Sequence, residues 1–130
     1  MLILMIRSDQ QSAELYIYQD EKCLHKHIWE ADHHLAESIN KQLEQLLKKA
    51  KLRPDNLDAI GVYSGPGSFT SLRIGHSVAN ALAYGLNLPI VEANGADWQT
   101  RIVAMLRGGE NEHLVMPIYG APARTTKPRK

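Results

Sequence analysis

The chain has 130 residues, enough for one domain with its own core and too few for two ordinary enzyme lobes. Apolar residues make up 44% and charged residues 22%, which excludes disorder or a fibrous repeat as the basis of the structure. The formal charge is +1, but Arg124, Lys127, Arg129 and Lys130 crowd the last seven residues; without them eleven basic residues face fourteen acidic ones, so the body is no electrostatic nucleic-acid binder.

Leu2 to Ile6 is a continuous apolar run that reads as a strand buried on both faces. It is too short for a signal core or a membrane span, and no membrane association is expected. Ala13 to Tyr18 and Cys23 to Trp29 alternate with period two, and Asp20-Glu21 marks the hairpin between them, giving an antiparallel meander. Asp32 is the expected N-cap of a helix to about Lys51, with Leu35, Ile39, Leu43, Leu46, Leu47 and Ala50 on one face. The Glu37/Lys41 and Glu44/Lys48 pairs mark its exposed side.

After Pro54, Leu57 to Tyr63 is the next strand, and it runs into Ser64-Gly65-Pro66-Gly67-Ser68-Phe69-Thr70 before a helix that ends near Leu86. Pro89 to Glu92 is a short strand, Asn94 caps a helix from about Ala96 to Leu106, Gly108-Gly109 stops it, and Leu114 to Tyr119 is a last strand. This order implies a mixed sheet with helices packed on it, an α/β domain over residues 1–119. Residues 120–130 form a basic tail expected to be unstructured, with charge that suits a nucleic-acid phosphate backbone.

Glycines between a strand and a helix can turn backbone N–H groups toward an anion. The named phosphate motifs fail: no Lys and hydroxyl follow Gly67, and Thr70 stands where a dinucleotide fingerprint needs a small residue. Two readings stand, a phosphate site and a tight turn capped by Ser68, and the failed motifs favour the turn. Apolar and small residues of the following helix cover roughly 200° of arc, about twice what one contact needs. Ile74, Val78 and Leu82 are expected to face the sheet, and Leu72, Gly75, Ala79 and Ala83 to face a partner helix, together with Leu35, Ile39 and Leu43 of the preceding helix.

Cys23, His25, His27, His33 and His34 are zinc-ligand types, but no CxxC or HExxH spacing joins them, so exposed strand and cap residues are expected rather than a metal site. No nucleophile elbow surrounds Ser64, Ser68 or Ser71, so no catalytic residue is assigned. Cys23, the single cysteine, cannot form an internal disulfide, which fits a cytoplasmic chain.

The stretch GPGSFTSLRIG at Gly65 to Gly75 resembles the signature of the TsaB family, G-P-G-S-F-T-G-L-R-I-G, at ten of eleven positions: Gly65, Pro66, Gly67, Ser68, Phe69, Thr70, Leu72, Arg73, Ile74 and Gly75. The flanking elements fit over most of residues 1–119. The resemblance implies a single lobe of the actin-like ATPase (ASKHA) fold, built on an RNase H-like mixed sheet, in a shortened TsaB. It also implies tRNA threonylcarbamoyladenosine modification, with this chain as non-catalytic partner or scaffold of a TsaD-like threonylcarbamoyl transferase through a helical bundle. A TsaE-like ATPase would join the larger complex, ATP and Mg would be bound there rather than by this chain, and tRNA would be met indirectly. Apart from the resemblance, the apolar helix side left without a partner is expected to pair with its own copy, making the chain alone a homodimer. The sequence departs from the family at Ser71, in place of a Gly, and at Arg7-Ser8-Asp9, where an Asp-Thr-Ser run is usual. The rival readings are a nucleotide-binding or hydrolytic enzyme acting alone through the Gly65–Thr70 turn, and a homodimeric structural protein.

Overall fold

The opening apolar run becomes the middle of a five-stranded sheet. In the computed structural model, which describes residues 1–118, β1 (Leu2–Arg7) is flanked by β2 (Ser12–Gln19) and by β4 (Ala59–Tyr63), and Ile3, Leu4, Met5 and Ile6 are almost wholly buried. β2 and β3 (Lys22–Glu30) complete the antiparallel meander; β4 lies parallel to β1, and β5 (Ile90–Ala93) parallel to β4, in the order β3-β2-β1-β4-β5. Met5 stands opposite Tyr16 on one side and Gly61 on the other. A strand paired on both sides and covered on both faces has no polar face to show, which is why it reads as an unbroken apolar run.

Helices α1 (Leu35–Lys49) and α2 (Phe69–Leu86) cover one face of the sheet, and α3 (Trp98–Arg107) covers the other. Leu4, Ile6, Leu15, Ile17, Ile60 and Val62 meet Leu35, Ile39, Leu43, Leu46 and Leu47 of α1 and Ala79 and Ala83 of α2. On the opposite face Ile3, Met5, Tyr63 and Val91 meet Trp98, Ile102 and Leu106. Trp98 packs edge-on against Tyr16 and Tyr63, with centroids 6.0 and 5.5 Å away. Polar contacts tie α1 to β3: Trp29 Nε1 donates to Ser38 Oγ at 3.1 Å, and His27 bonds Gln42.

Three boundaries differ from the sequence reading. Asp32 is not the N-cap of α1; it sits in a turn with φ of 51°, its N–H donating to Gln11 O, and the helix begins at Leu35 after His34. α3 begins at Trp98 after Asp97, not at Ala96 after Asn94, and ends at Gly108 as expected. The last strand does not form: Leu114 lies in a bend and residues 115–118 carry no regular structure, with Val115 buried and Leu114, Met116 and Ile118 exposed, and they join no ladder. Side chains hold them instead. Asn80 Oδ1 accepts from Val115 N–H at 2.9 Å and its Nδ2 donates to Val115 O at 3.0 Å, imitating a strand partner. Tyr119 and the basic tail lie outside the described residues. Among those described, no helix is long and apolar enough to cross a membrane.

Asn80→Ala strips Val115 of both partners and is expected to cost about 1–3 kcal/mol in urea unfolding, with faster proteolysis within residues 111–118.

Candidate functional site

The glycine turn joins the end of β4 to the start of α2, directly over the end of β1. Ser68 N–H donates to Asp9 O at 3.0 Å, tying the turn to the backbone that leaves β1. A Cβ at Gly67 would lie 2.5 Å from Asp9 Cβ and 2.7 Å from Asp9 O, so no larger residue fits without moving that backbone. Eight residues on, a Cβ at Gly75 would run into Ser8 Oγ and lie 3.0 Å from Ser8 Cβ. Ser8 itself is buried and donates from its hydroxyl to Ser71 O at 2.8 Å. At Gly65, with φ of 112°, the space beside Cα is taken by the carbonyl of Ile118, whose N–H bonds Ser64 O at 2.7 Å. Each of these motif glycines therefore admits protein.

The acidic side chain after β1 is also engaged. Asp9 is 8% exposed, and its carboxylate receives Arg7 Nε at 2.8 Å and Nη2 at 3.2 Å. The Arg7 guanidinium lies 4.0 Å from the centroid of Tyr63, and its bond to Asp9 holds it above the ordinary arginine value. Nearby, burial first and then the hydrogen bond to Glu14 push the Tyr16 phenol up. A nucleotide phosphate or its magnesium would need backbone N–H groups turned outward and a free carboxylate. Here Ser68 N–H is spent on Asp9 O and the Asp9 carboxylate on Arg7, so neither of these two groups is free for a nucleotide. Ser68 occupies the N-cap position without a side-chain cap bond, so its contribution is the backbone tie to Asp9 rather than the expected hydroxyl cap.

Beside the turn a cavity of about 380 Å³ opens between the starts of α1 and α2, lined by Gln10, Asp32, His33, Ser68, Thr70 and Ser71 among others. Cys23, His33 and His34 are exposed, His25 and His27 are half-buried on β3, and among the described residues no three metal-ligating side chains group together.

The orientation of α2 is the reverse of the expected one. Leu72, Gly75, Ala79 and Ala83 are buried against the sheet, while Ile74, Val78 and Leu82 are half-exposed at its edge. Leu35, Ile39 and Leu43 are likewise core residues. The cause is the short distance between α2 and β1: only small residues let the helix approach Ser8 and Ile6 this closely. The side open to solvent carries Arg73, Ser77, Ala81 and Tyr84, with Phe69 at its start, 54% exposed and under the Arg73 guanidinium.

Sequence reading passed over His76 and Glu92. His76 is 2% exposed, with Nδ1 2.9 Å from Leu72 O and Nε2 3.2 Å from Glu92 Oε1. Their separation of sixteen residues follows no motif; a histidine within a run of small helical residues was the only available signal.

A family model described as TsaD, tRNA N6-adenosine threonylcarbamoyltransferase, matches residues 29–118. The protein of that name from Pediococcus pentosaceus is 34% identical over 99 residues, 67% of this chain and 29% of its own length. The chain thus spans under a third of the length of the curated relatives it matches. Among solved structures, YeaZ (TsaB) from Pseudomonas aeruginosa superposes with a TM-score of 0.66 at 24% identity, over 72% of this chain and 43% of that one. RuvC from T. thermophilus, solved with a Holliday junction substrate, gives 0.54 at 13%, over 83% and 77%. At these identities the structures establish the fold, the RNase H-like sheet of actin-like ATPases, as the GPGSFTSLRIG resemblance implied.

Gly75→Ala is expected to destabilise the chain by about 1–3 kcal/mol in thermal or urea unfolding, because the new methyl meets Ser8. Ser8→Gly in the same chain should recover much of that loss, and strict additivity of the two changes would contradict the contact.

Proposed function

The chain belongs to the TsaD family, in the fold of YeaZ (TsaB), and from that premise we propose that it acts in tRNA threonylcarbamoyladenosine modification as the non-catalytic partner of a TsaD-like transferase. The observation that carries this reading is the tied glycine turn: Ser68 N–H is spent on Asp9 O, and the Asp9 carboxylate is paired with Arg7. A member of the family whose turn amide and nearby carboxylate are both engaged contributes a surface rather than a reaction.

The proposed surface is the outer side of α1 and α2, shifted from the buried residues first expected there. Ala36, Asn40, Arg73, Ile74, Ser77 and Val78 line a shallow groove of about 330 Å³ between the helices. Phe69 lies at one end of α2, and Tyr84, 91% exposed, near the other. Aromatic and arginine anchors around small residues suit a helical partner that packs along both helices as a four-helix bundle. In this reading ATP and magnesium are handled by the partner and a TsaE-like ATPase, tRNA is met only through the complex, and the same face pairs two copies of the chain when the partner is missing. The names of the curated relatives favour a second reading, in which the chain is one lobe of a transferase; that reading requires nucleotide binding at the turn.

Co-expression with the TsaD-like protein of the same genome, followed by size-exclusion chromatography, should yield a 1:1 complex. Ser77→Arg and Tyr84→Ala should each weaken it at least about tenfold while leaving melting temperature nearly unchanged, since both side chains face solvent in the isolated chain. Binding by both variants at full strength would contradict this interface.

A further inference from the structure

The sheet ends at β3, and among the described residues no strand takes its outer edge. Ala31 N–H donates to Gln11 O, and the β2–β3 register continues from that bond. The odd-numbered residues of β3 are therefore spent on β2, while Lys26, Ile28 and Glu30 turn N–H and C=O to the open edge. The one register break faces Leu24, between the Ile17 and Tyr18 pairings, so the stretch from Lys26 to Glu30 is regular. Lys26 and Ile28 stand opposite Tyr16 and Glu14, on the α3 face of the sheet, where Ile28 is 48% exposed. His27 and Trp29 lie on the other face, fixed by Gln42 and Ser38 of α1, with their rings 5.8 Å apart. The Glu30 carboxylate accepts from Ser12 with one oxygen and keeps the other, and Lys26 is exposed. Open edges of this kind are templates for a further strand.

We propose that β3 is a homotypic docking edge, on which β3 of a second copy pairs antiparallel about a two-fold axis at Ile28. The sequence around that point is self-complementary. With Ile28 facing Ile28 of the second copy, Lys26 faces Glu30 and Glu30 faces Lys26, so two opposite-charge pairs flank an apolar pair on one face of the sheet. On the other face His27 meets Trp29. Lys26, Ile28 and Glu30 then exchange both their backbone bonds across the axis, and the sheet runs on through both copies. Other axes fit less well. One at Lys26 sets lysine against lysine and takes in the register break; one at His27 or Trp29 sets a charge against Ile28. An axis at Glu30 sets glutamate against glutamate and runs into Asp32, where φ of 51° turns the chain out of the strand.

A lysine on an open edge ordinarily keeps unrelated strands away. In this register it selects an identical strand, because only a strand with an acid four residues after its lysine answers Lys26 and Glu30 together. The paired stretch is short and its apolar centre is one isoleucine from each copy, so the association is weak, with a dissociation constant on the order of 10–100 µM. The edge pairs in the plane of the sheet, whereas the surface proposed for the transferase partner is the outer side of α1 and α2. The inference does not rest on that reading.

Light scattering and amide hydrogen exchange test this together, in a chain carrying Ser77→Arg so that the helical face does not pair the copies. Between about 5 µM and about 500 µM the mass should rise from monomer toward dimer, and the Ile28 and Glu30 amides should gain at least about fivefold protection. Lys26→Glu and Glu30→Lys each set like charges at both ends of the paired stretch, and each alone should weaken the dimer at least about tenfold. Mixed in equal amounts, the two variants face one another with opposite charges and should pair again. A monomer at about 500 µM, or a dimer whose Ile28 amide exchanges as in the monomer, overturns the proposal. So does a mixture that pairs no better than its components, or an Ile28 amide protected only when the transferase partner is added. Should either variant fail to fold, the concentration dependence of the Ile28 amide with β3 unaltered decides. The helical interface is scored separately, by the Ser77 and Tyr84 variants in the co-expressed complex.

Discussion

The close approach of α2 to the end of β1 sets the terms for the rest of the molecule. Gly67 lies against the Asp9 backbone and Gly75 against Ser8, and Ser68 N–H and Ser71 O are bonded to Asp9 and Ser8. A helix held this near to a central strand must present its small residues inward. The approach thereby selects Leu72, Gly75, Ala79 and Ala83 for the core and leaves Ile74, Val78 and Leu82 at the groove beside α1. The same approach spends Ser68 N–H on the Asp9 backbone. One packing constraint thus decides which side of α2 is free and why the motif glycines are needed.

A second consequence is a division of the molecule into rigid and lightly held parts. The sheet and the α1–α2 layer are closed by apolar contacts among wholly buried residues, whereas the strap of residues 111–118 is fixed by Asn80, Asn111, Glu92 and backbone bonds, with Val115 its buried anchor. Interactions of that kind respond to substitution in ways that a hydrocarbon core does not. The strap nevertheless reaches Gly65, so the lightly held part touches the motif that organises the firmly held one.

Much of the fold was legible in the residues. The meander, the three helices, the glycine turn and the strands on either side of it follow from period, length and turn chemistry, and the GPGSFTSLRIG resemblance named the right fold. The free side of α2 was not legible, because small and apolar residues span too much of the helix for period alone to choose a face; the choice is made by Ser8, sixty-odd residues earlier. The segment from Leu114 carries a strand's alternation, but its hydrogen-bond partners are side chains of α2 and β5, which no local pattern announces. Asp32 has the chemistry of a cap, yet the bonds from Ala31 and Asp32 to Gln11 hold the chain in a turn before the helix can start. His76 and Glu92 meet only through tertiary folding.

The central claim, that the glycine turn is closed by protein rather than shaped for phosphate, is tested most directly by titrating the chain with Mg-ATP while following backbone amide shifts. The account predicts no saturable shifts at Gly67 to Ser71 or at Arg7 to Asp9 up to about millimolar nucleotide, the range of weak non-specific contact. Saturable movement of those amides at micromolar nucleotide would contradict it, because the turn would then have to part from Asp9 to admit the ligand.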